Sequence, residues 1–288
     1  MSKDWINQSR KNIHNYLDGY FPENKGRIQD AVRHSVVNQK AHLWRPLMAI
    51  ASGKAYDFDS EKILPYALTP ELVHTASLML DDLPSMDDAD VRRGKPSCHK
   101  QFDIATTELG FYYLIEKART IIQDGNLPNK TKIELLKAST DTSFKLIEGQ
   151  KRDLYGVASD KKRLFDEVIS LYQQKTGAMF AYSALIGGII GNASETELEK
   201  LSDIGKNVGV AYQIRDDILD VCGNEEEIGK PTNQDENKTT IIDLIGLDKS
   251  KKLIKDYRNK INEGLSCLKN CNRDVSYLEN LVEKMLEI

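Results

Sequence analysis

The sequence predicts an all-α protein. The longer segments carry apolar residues at a helical period. Alternating β-branched runs bounded by Asn-Gly or Asp-Gly turns are absent, since Asp124-Gly125 is followed by Asn-Leu-Pro. Helix-breaking residues are sparse, with 8 prolines and 18 glycines in 288 residues. In chain order, Leu72 to Leu80 reads as an apolar helix that runs straight into an acidic segment. Lys132 to Leu154 repeats the pattern through Ile133, Leu136, Phe144 and Ile147, and Val168 to Ile190 is apolar enough for a buried central helix. Ser194 precedes Glu197 by three, the spacing of a capping box. After it Leu198, Leu201, Ile204, Val208, Tyr212 and Leu219 recur mostly every three to four residues. Lys251 to Glu287 carries Leu253, Ile261, Leu265, Leu268, Leu278, Leu281 and Met285, and reads as scaffold. Pro22, Pro46, Pro70, Pro128 and Pro231 fall near the expected boundaries. Typical helix lengths of about 11–12 residues, with longer central ones, give about ten helices. No solenoid period is present, and residues 1–288 are expected to form one domain.

Hydrophobic residues make up 40% and charged residues 29%, the balance of a globular protein with a sizeable core. The net charge of −4 supplies no basic excess for nucleic acid. The apolar stretch from Gly177 to Gly191 falls short of the roughly 18–20 residues needed to span a bilayer. The opening MSKDWINQSR has no apolar run of the secretory kind. Cys98, Cys222, Cys267 and Cys271 form neither a CxxC pair nor a zinc-like spacing, so reduced thiols in a cytoplasmic protein are expected.

Two aspartate clusters carry the chemistry. The first is Asp81-Asp82-Leu83-Pro84-Ser85-Met86-Asp87-Asp88-Ala89-Asp90, followed by Val91-Arg92-Arg93-Gly94-Lys95. The second is Gln213-Ile214-Arg215-Asp216-Asp217-Ile218-Leu219-Asp220. Asp216 and Asp220 share a helix face at i, i+4, where like charges repel unless a cation neutralises them. Hard carboxylate oxygens with room for water and phosphate oxygens suit magnesium. Pro84 breaks the first helix, so Asp87 or Asp88 can fold back towards Asp81. Either cluster alone is as readily a solvated acidic helix end. Two of them, each ending an apolar helix and one followed by Arg92-Arg93, point to a magnesium–diphosphate site.

The run from Asp81 to Lys100 resembles the first aspartate-rich motif of the trans-isoprenyl diphosphate synthases, or polyprenyl synthetases. Further matching segments follow in the family's order: Gly149-Gln150 with Asp153-Leu154, Lys175-Thr176-Gly177-Ala178, Tyr212 to Val221, Gly229-Lys230 and Lys238-Thr239-Thr240. The resemblance covers roughly residues 30–250. It implies an isoprenoid-synthase-type helical bundle around a deep central cavity, usually as a homodimer. It also implies a reaction in which an allylic diphosphate ionises and isopentenyl diphosphate attacks the cation, giving a short all-trans prenyl diphosphate such as farnesyl or geranylgeranyl diphosphate. By motif match Asp81, Asp87 and Asp216 are magnesium ligands, with Asp82 and Asp220 in support, and three Mg2+ ions gather around the leaving group. Arg92, Lys175 and Lys230 clamp the allylic diphosphate, while Thr176 and Gln213 set oxygens near the developing cation. Asp88 and Asp90 are expected to face solvent, and Cys98 and His99 to pack beside the loop.

The chain departs from the family where the isopentenyl diphosphate site usually begins Gly-Gly-Lys-x-x-Arg-Pro. Here the stretch is Lys40-Ala41-His42-Leu43-Trp44-Arg45-Pro46. Arg45 is kept, as are His74 and Arg93, but His42 replaces the lysine and both glycines are gone. Either His42 donates a hydrogen bond or Lys40 reaches in, or the second site is abandoned as in related terpene synthases. A non-catalytic partner subunit is the third reading. Phe111-Tyr112 stands where the family often has Gly-Asp, and the loop from Asp235 to Lys238 is shorter than usual. Ala76 and Ser77, the fifth and fourth residues before Asp81, occupy positions that in this family face the channel for the growing chain. Their small size leaves depth for about twenty carbons, unless Tyr112 or Tyr113 closes the channel.

Overall fold

The computed structural model describes residues 4–155, 164–222 and 239–287. They are helical except for connecting turns and one two-stranded hairpin. The chain divides into two compact units, Met1–Ile50 with Asp59–Leu136, and Ala51–Phe58 with Lys137–Ile288.

The first unit holds α1 (Trp5–Tyr20), α2 (Arg27–Val36), the start of α3 (Trp44–Lys54), α4 (Ser60–Ala67), α5 (Thr69–Asp81), α6 (Cys98–Gln101), α7 (Ile104–Asp124) and the start of α8 (Asn129–Tyr155). Its core is built on Ile13, Leu17, Val32, Leu72 and Leu114, all with almost no exposure. Helix α5 packs against α7, and α2 also lies on α7. Two side chains start helices by accepting orphan N–H groups. Asp59 accepts from Glu61 and Lys62 N–H, and Asp103 accepts from Thr106 N–H at 2.6 Å while pairing with Arg27. Between α5 and α6, β1 (Val91–Arg92) pairs antiparallel with β2 (Lys95–Pro96). Both residues of its turn, Arg93 (φ +51°) and Gly94 (φ +74°), are left-handed, as a tight hairpin of this hand requires. Periodicity could not foresee a hairpin this short.

The second unit holds α9 (Phe165–Tyr172), a π-helical turn (Gln173–Gly177), α10 (Ala178–Ile190), α11 (Glu195–Cys222), α12 (Ile241–Ile245), α13 (Leu247–Asn270) and α14 (Ser276–Met285), with the later part of α8. Every residue of α10 except Leu185 is buried, as its composition predicts. The continuous helix expected over Val168 to Ile190 is instead interrupted by the π turn. That turn lies close against α11: a Cβ on Gly209 would lie 2.5 Å from the Gly177 Cα, so position 209 needs to be glycine. The π turn takes one more residue than an α-helical turn. The helices outnumber the expected ten because several span only one or two turns. No helix of the described residues is long and apolar enough to cross a membrane.

The predicted capping box forms at the start of α11. Glu197 accepts from Ser194 N–H and hydroxyl at 2.8 Å, and Ser194 Oγ accepts from Glu197 N–H at 3.4 Å. The other Glu197 oxygen takes the Arg273 Nε at 2.6 Å, and Arg273 lies 4.4 Å over the Tyr56 ring. The Arg273 hydrogen bond outweighs burial and, with help from Ser194, pulls Glu197 from 4.5 to about 2. A depressed carboxyl stabilises the fold above its unfolded pKa, and that stabilisation disappears as pH falls through the folded one. Glu197→Gln should therefore lower stability at neutral pH by about 2 kcal/mol. It should also flatten the loss of stability between pH 4.5 and about 2, as measured by urea unfolding across that range.

Candidate active site

In the first unit, α5 ends at Asp81 because Pro84 supplies no N–H and its ring disfavours helix at Leu83. The chain then doubles back. Asp87 N–H donates to the Asp81 carbonyl at 2.9 Å, and Ala89 N–H to that of Asp82 at 3.1 Å. The expected return of Asp87 towards Asp81 is thus a backbone hydrogen bond. Asp81 is half-buried and Asp87 exposed.

Neighbours on a helix point about 100° apart, so Asp81 and Asp82 cannot face the same way. Asp82 is the inward one, 3% exposed, and accepts from Arg92 Nε at 2.9 Å. Burial pushes the Asp82 carboxyl above its usual range, while Arg92 pulls the other way. Burial also opposes the charge on Arg92, but Asp82, then Asp87 and Asp81, outweigh it and hold the guanidinium above its ordinary value. One arginine therefore senses all three carboxylates. Asp88 and Asp90 face solvent and meet Lys100 at 3.9 and 2.8 Å. Cys98 and His99 are buried beside the loop, with Ser97 Oγ 3.2 Å from His99 Nδ1.

Arg93 pairs with buried Glu71 at 3.2 Å. His74, one turn after Glu71, is half-buried, and its carbonyl accepts from Ser77 Oγ at 2.9 Å. Ala76 is fully buried. His42 is exposed, and its ring stacks on Trp44 with centroids 6.0 Å apart; Arg45 is half-buried. Tyr112 is 65% exposed and so turned away from the core, which removes it as a channel floor; Tyr113 is half-buried.

The second unit repeats the division. Asp217 is 3% exposed and accepts from the Tyr172 hydroxyl, from Gln213 Nε2 at 3.3 Å and from Ile241 N–H at 3.4 Å. Asp216 and Asp220 are half-exposed, and Arg215 lies 3.4 Å from Asp216. Thr176 donates to Gln213 Oε1 at 3.2 Å, so these two predicted residues meet. Lys175 pairs with Asp153 at 2.7 Å. Gly149 makes room for it, since a Cβ there would sit 2.9 Å from Lys175 Cγ. Lys175 and Thr176 both lie in the π turn. Lys230, Gly229 and Lys238 fall outside the described residues.

Among the described residues, no three His, Cys, Asp or Glu side chains form a ready metal cage. The donors do suit magnesium, which is commonly held by one or two carboxylates with water and substrate phosphates completing its shell. Sequence reasoning left Asp217, Tyr172 and Glu71 without roles. A readable signal existed for each: a second aspartate out of phase with the first, a tyrosine in an apolar helix, and an acid inside the apolar run of α5.

The polyprenyl synthetase family profile matches residues 27–278. The chain belongs to that family. It is 33% identical to a farnesyl diphosphate synthase of Micrococcus luteus over 282 residues, 96% of this chain and 94% of that protein. It is 35% identical to geranylgeranyl pyrophosphate synthase 11 of Arabidopsis thaliana over 249 residues, 83% of this chain and 69% of that protein. Among solved structures, an FPP/GFPP synthase from Zymomonas mobilis superposes with a TM-score of 0.86 at 26% identity, covering 99% of this chain and 98% of that one. The all-α isoprenoid-synthase fold follows from that match. The chain is a transferase of the short-chain prenyl type, and the terpene-synthase and non-catalytic readings are not favoured.

The buried anchors can be tested apart from catalysis. Asp217→Ala leaves a buried hydroxyl and amide without their acceptor and should cost roughly 3 kcal/mol. Tyr172→Phe removes one donor and should cost about 1–2 kcal/mol. Urea unfolding monitored by circular dichroism checks both.

Proposed function

We propose that the chain condenses an allylic diphosphate with isopentenyl diphosphate into an all-trans prenyl diphosphate of about twenty carbons. The observation that carries this reading is the paired construction of the two clusters. In each Asp-Asp pair one carboxylate is buried and anchored, and the other is more exposed. On this reading Asp81, Asp87 and Asp216 bind magnesium, with Asp220 adding charge on the face of Asp216 and Asp82 acting through Arg92. Three ions per site is the number that the family resemblance implies. Bound magnesium supplies Lewis-acid neutralisation of the departing diphosphate.

The remaining work falls to side chains. Arg92, Lys175 and Lys230 offset the phosphate charge not met by metal. Asp153 keeps Lys175 extended along α8. As the allylic carbon–oxygen bond breaks, the electron pair leaves with the diphosphate and positive charge appears on carbon. Thr176 and Gln213, already bonded to each other, present oxygens suited to that charge. The double bond of isopentenyl diphosphate then attacks, and a proton is lost. His42, Arg45, His74 and Arg93 hold the second diphosphate, and His42 serves as hydrogen-bond donor in place of an ammonium. Apolar walls keep water from the cation.

A homodimer is consistent with the exposed apolar side chains Leu109 and Tyr112 on α7 and Phe144 and Ile147 on α8, which call for a partner surface. Free Cys98, Cys222, Cys267 and Cys271 accord with work in the cytoplasm.

Labelled isopentenyl diphosphate with dimethylallyl, geranyl or farnesyl diphosphate and magnesium should give geranylgeranyl diphosphate. Cyclic hydrocarbon formed without the five-carbon donor would overturn the proposal. Asp81→Asn and Asp216→Asn should each lower kcat by at least about a hundredfold. Ala76→Phe should shorten the product towards fifteen carbons, and unchanged chain length in that variant would refute the role given to Ala76.

A further inference from the structure

Helix α1 precedes residue 27, where the family match begins, yet it reaches the segment that carries His42. Arg10 Nε donates to the His42 carbonyl at 3.1 Å. The Arg10 guanidinium lies 4.3 Å over the Trp44 ring, and that ring stacks on the His42 imidazole with their planes 10° apart. Arginine, indole and imidazole therefore form one connected set, tied to the backbone between the two rings.

The backbone at that point is strained. Leu43, between His42 and Trp44, has φ +56° and is 2% exposed. A bulky residue in the left-handed region is an outlier that persists only where its surroundings fix it. The conformation has a visible result. Ala41 and Leu43 are buried while His42 is exposed, and the Leu43 carbonyl accepts from Leu47 N–H at 3.2 Å to begin α3. Relaxing Leu43 to an ordinary conformation would rotate the His42 peptide and carry the imidazole off the Trp44 ring. The Arg10 contacts close on both sides of Leu43, the His42 carbonyl before it and the Trp44 ring after it, and so oppose that rotation.

We propose that Arg10 is a positioning residue for the second substrate: it locks the segment 42–44 so that His42 is presented to the diphosphate of isopentenyl diphosphate. No glycine relieves the left-handed backbone at Leu43, and an arginine from α1 clamps it from outside. The inference rests on the reading that His42 meets that diphosphate, and the test separates the two.

Steady-state kinetics of Arg10→Ala, Arg10→Lys, His42→Ala and the double variant Arg10→Ala/His42→Ala would be compared. Misplacing a binding group by about 1 Å can cost up to a hundredfold. Arg10→Ala should raise the KM for isopentenyl diphosphate by about tenfold, with the allylic KM and kcat within about twofold of the parent. Arg10→Lys keeps a cation over Trp44 and should recover part of the loss. The double variant should be no worse than His42→Ala, because the clamp acts through the histidine. In a Trp5→Phe background, Trp44 is the remaining tryptophan of the 2 in the chain. Its fluorescence should then respond to isopentenyl diphosphate, and Arg10→Ala should weaken that response. An isopentenyl diphosphate KM unchanged in Arg10→Ala but raised in His42→Ala would overturn the clamp alone. Values unchanged in both would overturn the underlying assignment of His42. Equal damage to both substrates, or full additivity in the double variant, would show a merely structural role and also overturn the proposal.

Discussion

Two adjacent aspartates on a helix must point in different directions, and both clusters are organised around that constraint. Asp82 and Asp217 turn inward, each 3% exposed, and are satisfied by Arg92 in one case and by Tyr172, Gln213 and Ile241 in the other. A buried carboxylate without partners would cost several kcal/mol, so these contacts are obligatory. Once made, they fix the helix rotation, and the outward partners Asp81 and Asp216 have little freedom left. The anchors thus convert a stability requirement into placement of the groups proposed to meet the ligand.

The same contacts gather the remaining site residues within each unit. Arg92 is held on Asp82 by the hairpin, whose tight turn also directs Arg93 to Glu71. Gln213 touches Asp217 with its amide nitrogen and Thr176 with its amide oxygen, so one side chain links the anchor to the π turn. Beside the π turn, Gly209 lets the α11 backbone approach Gly177 closely. Gln213 thus joins two of these contacts into one polar network among the candidate site residues.

Of the described non-glycine residues with positive φ, all but Leu43 and Arg93 are Asn or Asp, which tolerate it, and those two lie in the first unit beside substrate-binding candidates. Leu43 and Arg93 are both left-handed L-residues, and both are followed or contacted by side chains that restrain them. Glu71 binds Arg93 from α5, and Arg10 brackets Leu43 from α1. Such strain persists where neighbouring contacts over-determine the backbone, and it commonly marks binding segments.

The sequence by itself determined the helical class, the break after Asp81, the capping box at Ser194 and the identity of the acidic clusters, because each depends on spacing along the chain. Apolar period, a proline and an i, i+3 pair act within a turn or two and need no tertiary information. The tertiary structure decided which aspartate of each pair is buried, why Val168 to Ile190 is not one continuous helix, and that Tyr112 faces outward. It also supplied the partners Tyr172, Glu71 and Arg10, which lie 45, 22 and 32 positions from the residues they hold. Those outcomes depend on side chains meeting across helices, where packing chooses among rotations that the linear pattern leaves equal.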